Sequence, residues 1–99
     1  MRSIKEWQHA THLNAVQHGW YEGNERQIPE LLCLIHSEIS EALEAYRGSD
    51  LDNFREELAD VAIRLFDMCE YLGIDLESEI ELKHAKNILR PYRHGNKVC

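Results

Sequence analysis

A chain of 99 residues accommodates one domain, and with 43% hydrophobic residues it can bury a core, which excludes wholesale disorder. Its net charge of −7 is unevenly placed: all 18 acidic residues lie at or before Glu81, and from Lys83 onward the ionised residues are basic. An acidic body speaks against a general nucleic-acid binder, and no apolar run approaches the roughly 20 residues of a membrane span.

Residues 1–6 open no apolar signal-peptide segment, so a cytoplasmic protein is expected, with 1–99 as a single domain and 90–99 as its basic tail. Cys33, Cys69 and Cys99 are odd in number and irregularly spaced, which fits neither a disulfide framework nor a CxxC zinc site. No glycine-rich phosphate loop of the Walker type is present.

In chain order the periodicity is helical throughout. Ser3 is a suitable N-cap for a first helix that runs to about Gly19. Two glycines make the stretch from Gly19 to Arg26 a loop. Pro29 suits the first turn of a second helix, which ends at Arg47 before Gly48. Ser49 or Asp50 caps a third helix to about Leu72, with Gly73 behind it. Asp75 caps a fourth to about Leu89, where Pro91 stops it. Four helices with short connections predict an all-α, antiparallel four-helix bundle. A single small helical layer leaves apolar surface uncovered, so pairing with another copy is expected. Ile63 and Phe66, on a second apolar patch of the third helix, are assigned to that interface.

Two acidic pairs carry the chemistry. Glu38 and Glu41 on the second helix, and Glu57 and Asp60 on the third, are each spaced i, i+3, which puts both members on one helix face. In projection Glu38 falls inside an apolar arc that includes Leu31, Ile35, Ala42 and Ala45, and Glu41 lies at its edge. Glu57 borders the apolar stripe of the third helix, and Asp60 sits farther round. A carboxylate aimed at a core without a counter-charge costs several kcal/mol or protonates. No basic residue of the second helix is placed to neutralise Glu38. A divalent cation answers the problem, and an oxygen-only donor set selects Mg²⁺, with Mn²⁺ as a substitute.

The pattern Glu38-x-x-Glu41 followed by Glu57-x-x-Asp60 resembles the all-α NTP pyrophosphatases of the MazG-like group. The segments from Leu34 to Ala45 and from Glu56 to Arg64 are similar to that family's two metal helices. Lys83 with Asn87, and the run from Asn87 to Lys97, are similar to its downstream element and to the tail of compact single-domain members. The resemblance covers about residues 30–97.

It implies Mg²⁺-dependent hydrolysis of a nucleoside triphosphate to the monophosphate and pyrophosphate by a homodimer or homotetramer, in a house-cleaning role for the nucleotide pool. Glu38, Glu41, Glu57 and Asp60 would hold the metal, and Glu38 or Glu41 would accept the proton of the attacking water. Lys83 and Asn87, with Arg90, Arg93 and Lys97, would meet the phosphates or sugar. Base recognition needs an aromatic platform and a few polar groups, for which His12 and Trp20 are candidates. Neither a membrane nor stable nucleic-acid binding is expected. The alternatives are a non-catalytic helical interaction protein and a di-metal carboxylate bundle. The second normally needs two Glu-x-x-His motifs, and this chain has one such spacing, Glu81 to His84.

Overall fold

The computed structural model describes residues 1–23 and 25–92. Among them it is all-helical, with four helices and no strand: α1 (Ile4–Gln17), α2 (Ile28–Arg47), α3 (Leu51–Tyr71) and α4 (Leu76–Ile88). None of these helices is long and apolar enough to cross a membrane.

The helix ends follow from local chemistry. Ser3 Oγ accepts from the Glu6 amide at 3.1 Å, and Glu6 Oε1 accepts from the Ser3 amide at 2.8 Å. This reciprocal box satisfies two donors that the first turn of α1 leaves free. Asp50 and Asp75 do the same for α3 and α4, accepting from the amides of Asn53 and Ser78. α2 has no side-chain cap and carries Pro29 in its first turn, which its fixed φ suits.

One turn differs from expectation. Gly48 closes α2 at an ordinary φ of −83°, and the left-handed position falls on Ser49, at φ +59°. Asp50 N–H then reaches Ala45 O at 2.9 Å, so the reversal is closed by backbone hydrogen bonding and leads straight into the α3 cap. At the far end of α3 glycine takes its usual part. Gly73 has φ +71°, and Ile74 N–H reaches back to Cys69 O at 2.8 Å.

α3 is the central element, packed extensively against both α1 and α2, in an arrangement compatible with a bundle. α4 meets α1 lightly and has no buried residue. The core is small and polar in make-up. Leu31, Ala42, Ala45, Met68 and Cys69 are its buried apolar side chains, and Gln8, Thr11, Glu38 and Asp67 are buried beside them. Much of the predicted apolar arc of α2 is half exposed, including Leu32, Ile39, Leu43 and Tyr46.

Gln8 locks the α3–α4 corner to α1. Its amide donates to Ile74 O at 2.8 Å, and its carbonyl accepts from the Leu76 amide at 3.0 Å. The second bond caps an otherwise unpaired donor in the first turn of α4.

Candidate carboxylate site

α2 carries Glu38 into the contact with α3 because its neighbours in projection, Leu31, Ala42 and Ala45, are the buried residues of that helix. Glu38 is left only 7% exposed. Glu57 comes across from α3, half-buried, and Glu41 stands one turn along α2 at the exposed edge. One oxygen from each of the three lies within 4.8 Å of the others. Asp60 is not a member of this group. It is exposed and lines a neighbouring cleft instead.

A cation already touches the cluster. Arg64 Nε, one turn beyond Asp60 on α3, donates to Glu38 Oε1 at 2.7 Å. The second helix has no counter-charge placed for Glu38, as expected, but the third helix supplies one, so a metal is not the only neutralising group within reach. Burial pushes the Glu38 carboxyl up, but the Arg64 guanidinium, with the adjoining Glu57 and Glu41 carboxyls, outweighs it and holds Glu38 below the ordinary carboxylate range.

Glu57 carries the opposite consequence. Its closeness to the Glu38 carboxylate, then desolvation, then Glu41, push it up to about 7. Its Oε2 is shut from solvent and has no hydrogen-bond partner. Such an orphaned acceptor asks for either a proton or a cation.

Two clefts flank the cluster. One, of about 600 Å³, lies between the end of α2 and the start of α3 and is lined by Glu41, Glu44, Asp50 and Glu57, with no basic residue among the described residues. The other, of about 410 Å³, lies between α1 and α3 and is lined by Thr11, Asn14, Trp20, Glu38, Asp60 and Arg64, among others. The carboxylates thus form a wall between an acidic groove and one that offers an aromatic ring and a guanidinium.

Trp20 is half-buried at that second cleft. The Arg26 guanidinium lies 4.0 Å from its ring centroid, and Arg26 also donates from Nε and Nη2 to Trp20 O. The Arg26 amide is fixed in turn by Tyr71 Oη at 3.0 Å. His12 does not line this cleft. Its Nδ1 sits 2.8 Å from Asp67 Oδ1, and its ring meets that of Tyr21 edge-on at 5.0 Å. Tyr21 donates to Asp67 Oδ2 at 2.9 Å and stacks on Tyr71 at 4.5 Å. Burial first, then the bond to Asp67, raises the Tyr21 phenol well above its ordinary value, so it stays a donor. This network ties the loop that carries Trp20 down onto α3.

The described members of the predicted phosphate-binding set are not brought to the site within one chain. Lys83 and Asn87 are exposed on α4 and Arg90 is exposed just beyond it, and none lines either cleft. Arg93 and Lys97 lie outside the described residues, as does Cys99. Glu81 and His84 are exposed on α4 and are not members of the converging carboxylate group.

Arg64 and Asp67 are the site residues that sequence reasoning missed. Comparison with family models, with curated proteins and with solved structures gives no significant match.

Proposed function

We propose that the chain is a Mg²⁺-dependent nucleoside triphosphate pyrophosphohydrolase, converting ribo- or deoxyribonucleoside triphosphates to the monophosphate and pyrophosphate. The observation that carries this reading is the convergence of Glu38, Glu41 and Glu57 from two helices around the orphaned Glu57 oxygen, beside a cleft containing Trp20 and Arg64. The resemblance to the MazG-like group agrees with it.

The donor set fits a hard divalent ion. It is all oxygen, formally trianionic when ionised, and one of its buried atoms lacks a partner. Glu38, Glu41 and Glu57 would hold Mg²⁺, which supplies charge neutralisation of the triphosphate and Lewis-acid activation at phosphorus. The protein's own groups do the rest. Trp20 offers a ring face to the base. Arg64 offers a positive charge on the side of the cleft that Trp20 and the carboxylates share. Glu41, the exposed member, accepts the proton as a water oxygen attacks the α-phosphorus and the bond to the β-phosphate oxygen breaks. Removing pyrophosphate from unwanted nucleotides in this way is a house-cleaning reaction.

In this reading α2 and α3 form an antiparallel hairpin, and a homodimer or homotetramer completes the bundle. A second copy would bring Lys83 and Asn87 to the phosphates, where the described lining of the acidic groove has no basic residue.

One observation favours a second reading, a non-catalytic helical interaction protein: Arg64 partly neutralises Glu38 without any metal. Product analysis decides between them. The full chain is incubated with a panel of ribo- and deoxyribonucleoside triphosphates, with Mg²⁺ or with excess chelator. Mg²⁺-dependent release of monophosphate and pyrophosphate is expected. No turnover of any member would leave the interaction reading standing.

A further inference from the structure

Arg64 makes a weak hold on a strong partner. Arginine at a permanent carboxylate site commonly engages as a two-pronged fork, with two parallel N–H···O bonds. Here only Nε is used, on Glu38 Oε1, and the terminal amino groups donate to no described residue. The side chain is one-third exposed, against one-tenth for Glu38. Its guanidinium carbon already stands 5.5 Å from the Trp20 ring centroid. Asp60, one helical turn earlier on the same face, offers an exposed carboxylate on the same cleft.

Three carboxylates against one guanidinium leave the cluster short of positive charge. A divalent cation among them would need the Glu38 oxygens that Arg64 now shares. Two cations a few ångströms apart repel, and only the guanidinium has somewhere else to go. We propose that Arg64 is a displaceable counter-ion: a divalent cation entering the Glu38–Glu41–Glu57 cluster takes its place on Glu38, and the freed guanidinium swings onto the Asp60–Trp20 side of the cleft. This rests on the carboxylate reading given under Proposed function and adds a positioning residue to it. Arg64 guards the buried carboxylate while the metal is away. When the metal arrives, it carries positive charge to where an anionic ligand enters. Asp60 becomes its landing partner.

The test is metal binding, read without turnover. Mn²⁺ is titrated calorimetrically into the full chain at about pH 8, where protons compete least for the carboxylates, for wild type, Arg64→Gln, Arg64→Ala and Arg64→Lys. Removing the competing charge should tighten Mn²⁺ binding by about tenfold or more, the size of effect that a neighbouring charge has on a carboxylate equilibrium. Gln keeps a hydrogen-bond donor and most of the volume, so it carries the test if Ala unfolds the chain. Lys keeps the charge and stays near wild type.

In a Trp7→Phe background, which leaves Trp20 as the reporter, Mg²⁺ should change the Trp20 emission, and Arg64→Gln should abolish that change. Unchanged or weaker Mn²⁺ binding in Arg64→Gln, or a Trp20 signal indifferent to Mg²⁺, overturns the displacement while wild-type binding preserves the carboxylate reading. No binding by wild type or any variant overturns both.

Discussion

Asp67 Oδ1 lies 2.8 Å from His12 Nδ1, joining α3 to α1 through a carboxylate that is almost closed to water. The other oxygen of Asp67 accepts from Tyr21, so one side chain fastens both a helix and the loop that carries Trp20. Asp67→Ala strands two donors and should lower stability by roughly 2 kcal/mol, with Tyr21→Phe costing about 1 kcal/mol. Urea denaturation of the two single variants and the double variant checks this. Because both changes break one network, the double variant should lose less than the sum. Strict additivity would mean that the loop is held by something else.

The Glu57 carboxyl gives the metal-free protein an uncommon pH response. Its ordinary value is 4.5 and the fold holds it up to about 7. Between those values the folded chain keeps a proton that the unfolded chain has released. The associated stability is present below about 4.5 and lost as pH rises through about 7. Glu38, held below its ordinary value, acts in the other direction, and its contribution is lost as pH falls below 4.5. In chelator the melting temperature should therefore fall from pH 5 to pH 8. Glu57→Gln, which mimics the protonated acid, should flatten that fall, and so should saturating Mg²⁺. Thermal scans at several pH values with chelator or with Mg²⁺ check the sign. A melting temperature that rises across the window would remove this account of Glu57.

The carboxylates should rank by their place in the cluster. Glu38→Gln and Glu57→Gln each remove a converging ligand and should lower kcat about 100-fold or more. Asp60→Asn removes no converging ligand, only the cleft-wall partner of the displaced Arg64, and should cost less than about tenfold. Pyrophosphate release under saturating Mg²⁺ measures all three. An Asp60 effect as large as that of Glu38 would place it among the ligands after all.

The elements of this fold were legible because caps and stops stand at the right places: Ser3, Pro29, Asp50 and Asp75 all act as read, and the helix ends agree within two residues. The inward turn of Glu38 was legible too, since its apolar neighbours on α2 fix which face is buried. Arg64 and Asp67 were also within reach. Glu57, Asp60, Arg64 and Asp67 are spaced i, i+3, i+7 and i+10, and at about 100° per residue they fall within about 80° of one another. The i, i+3 spacing of the acidic pairs draws attention to Glu57 and Asp60, while the cation and the acid that extend the same face are marked by no motif.

The His12–Asp67–Tyr21 network could not be read in this way. It joins a helix, a loop and another helix far apart in sequence, and helical periodicity carries no information about which residues meet across elements. The left-handed turn at Ser49 was hidden because the adjacent glycine offered the cheaper position.

Gln8 offers a test of how α4 is held. It is 2% exposed and bonds both Ile74 O and the Leu76 amide. Gln8→Leu fills the same space without polar atoms, leaving a carbonyl and a helix N-terminal amide without partners. The expected loss is about 2 kcal/mol. Hydrogen exchange localises it: the first turn of α4 should lose protection before α3 does. Uniform loss throughout the chain would show that the corner is not the point of attachment.

The outer stripe of α2 predicts the state of assembly. Ile28, Leu32, Ile39, Leu43 and Tyr46 are 46–62% exposed, and in projection they fall within about 60° of one another, beside the face that packs on α3. No side chain among the described residues is fully buried, so one copy has little core to stand on. An apolar seam of this kind is ordinarily covered. Sedimentation equilibrium should give a dimer or tetramer at about 100 μM, and the melting temperature should rise with protein concentration. Ile39→Glu with Leu43→Glu should dissociate it, because two carboxylates facing the same seam on the other copy have no partner there. Since the seam lies beside Glu38 in projection, dissociation should also reduce hydrolysis if a second copy supplies Lys83 and Asn87. A monomer with full activity would separate the seam from the site and leave α4 to reach its own cluster by another path.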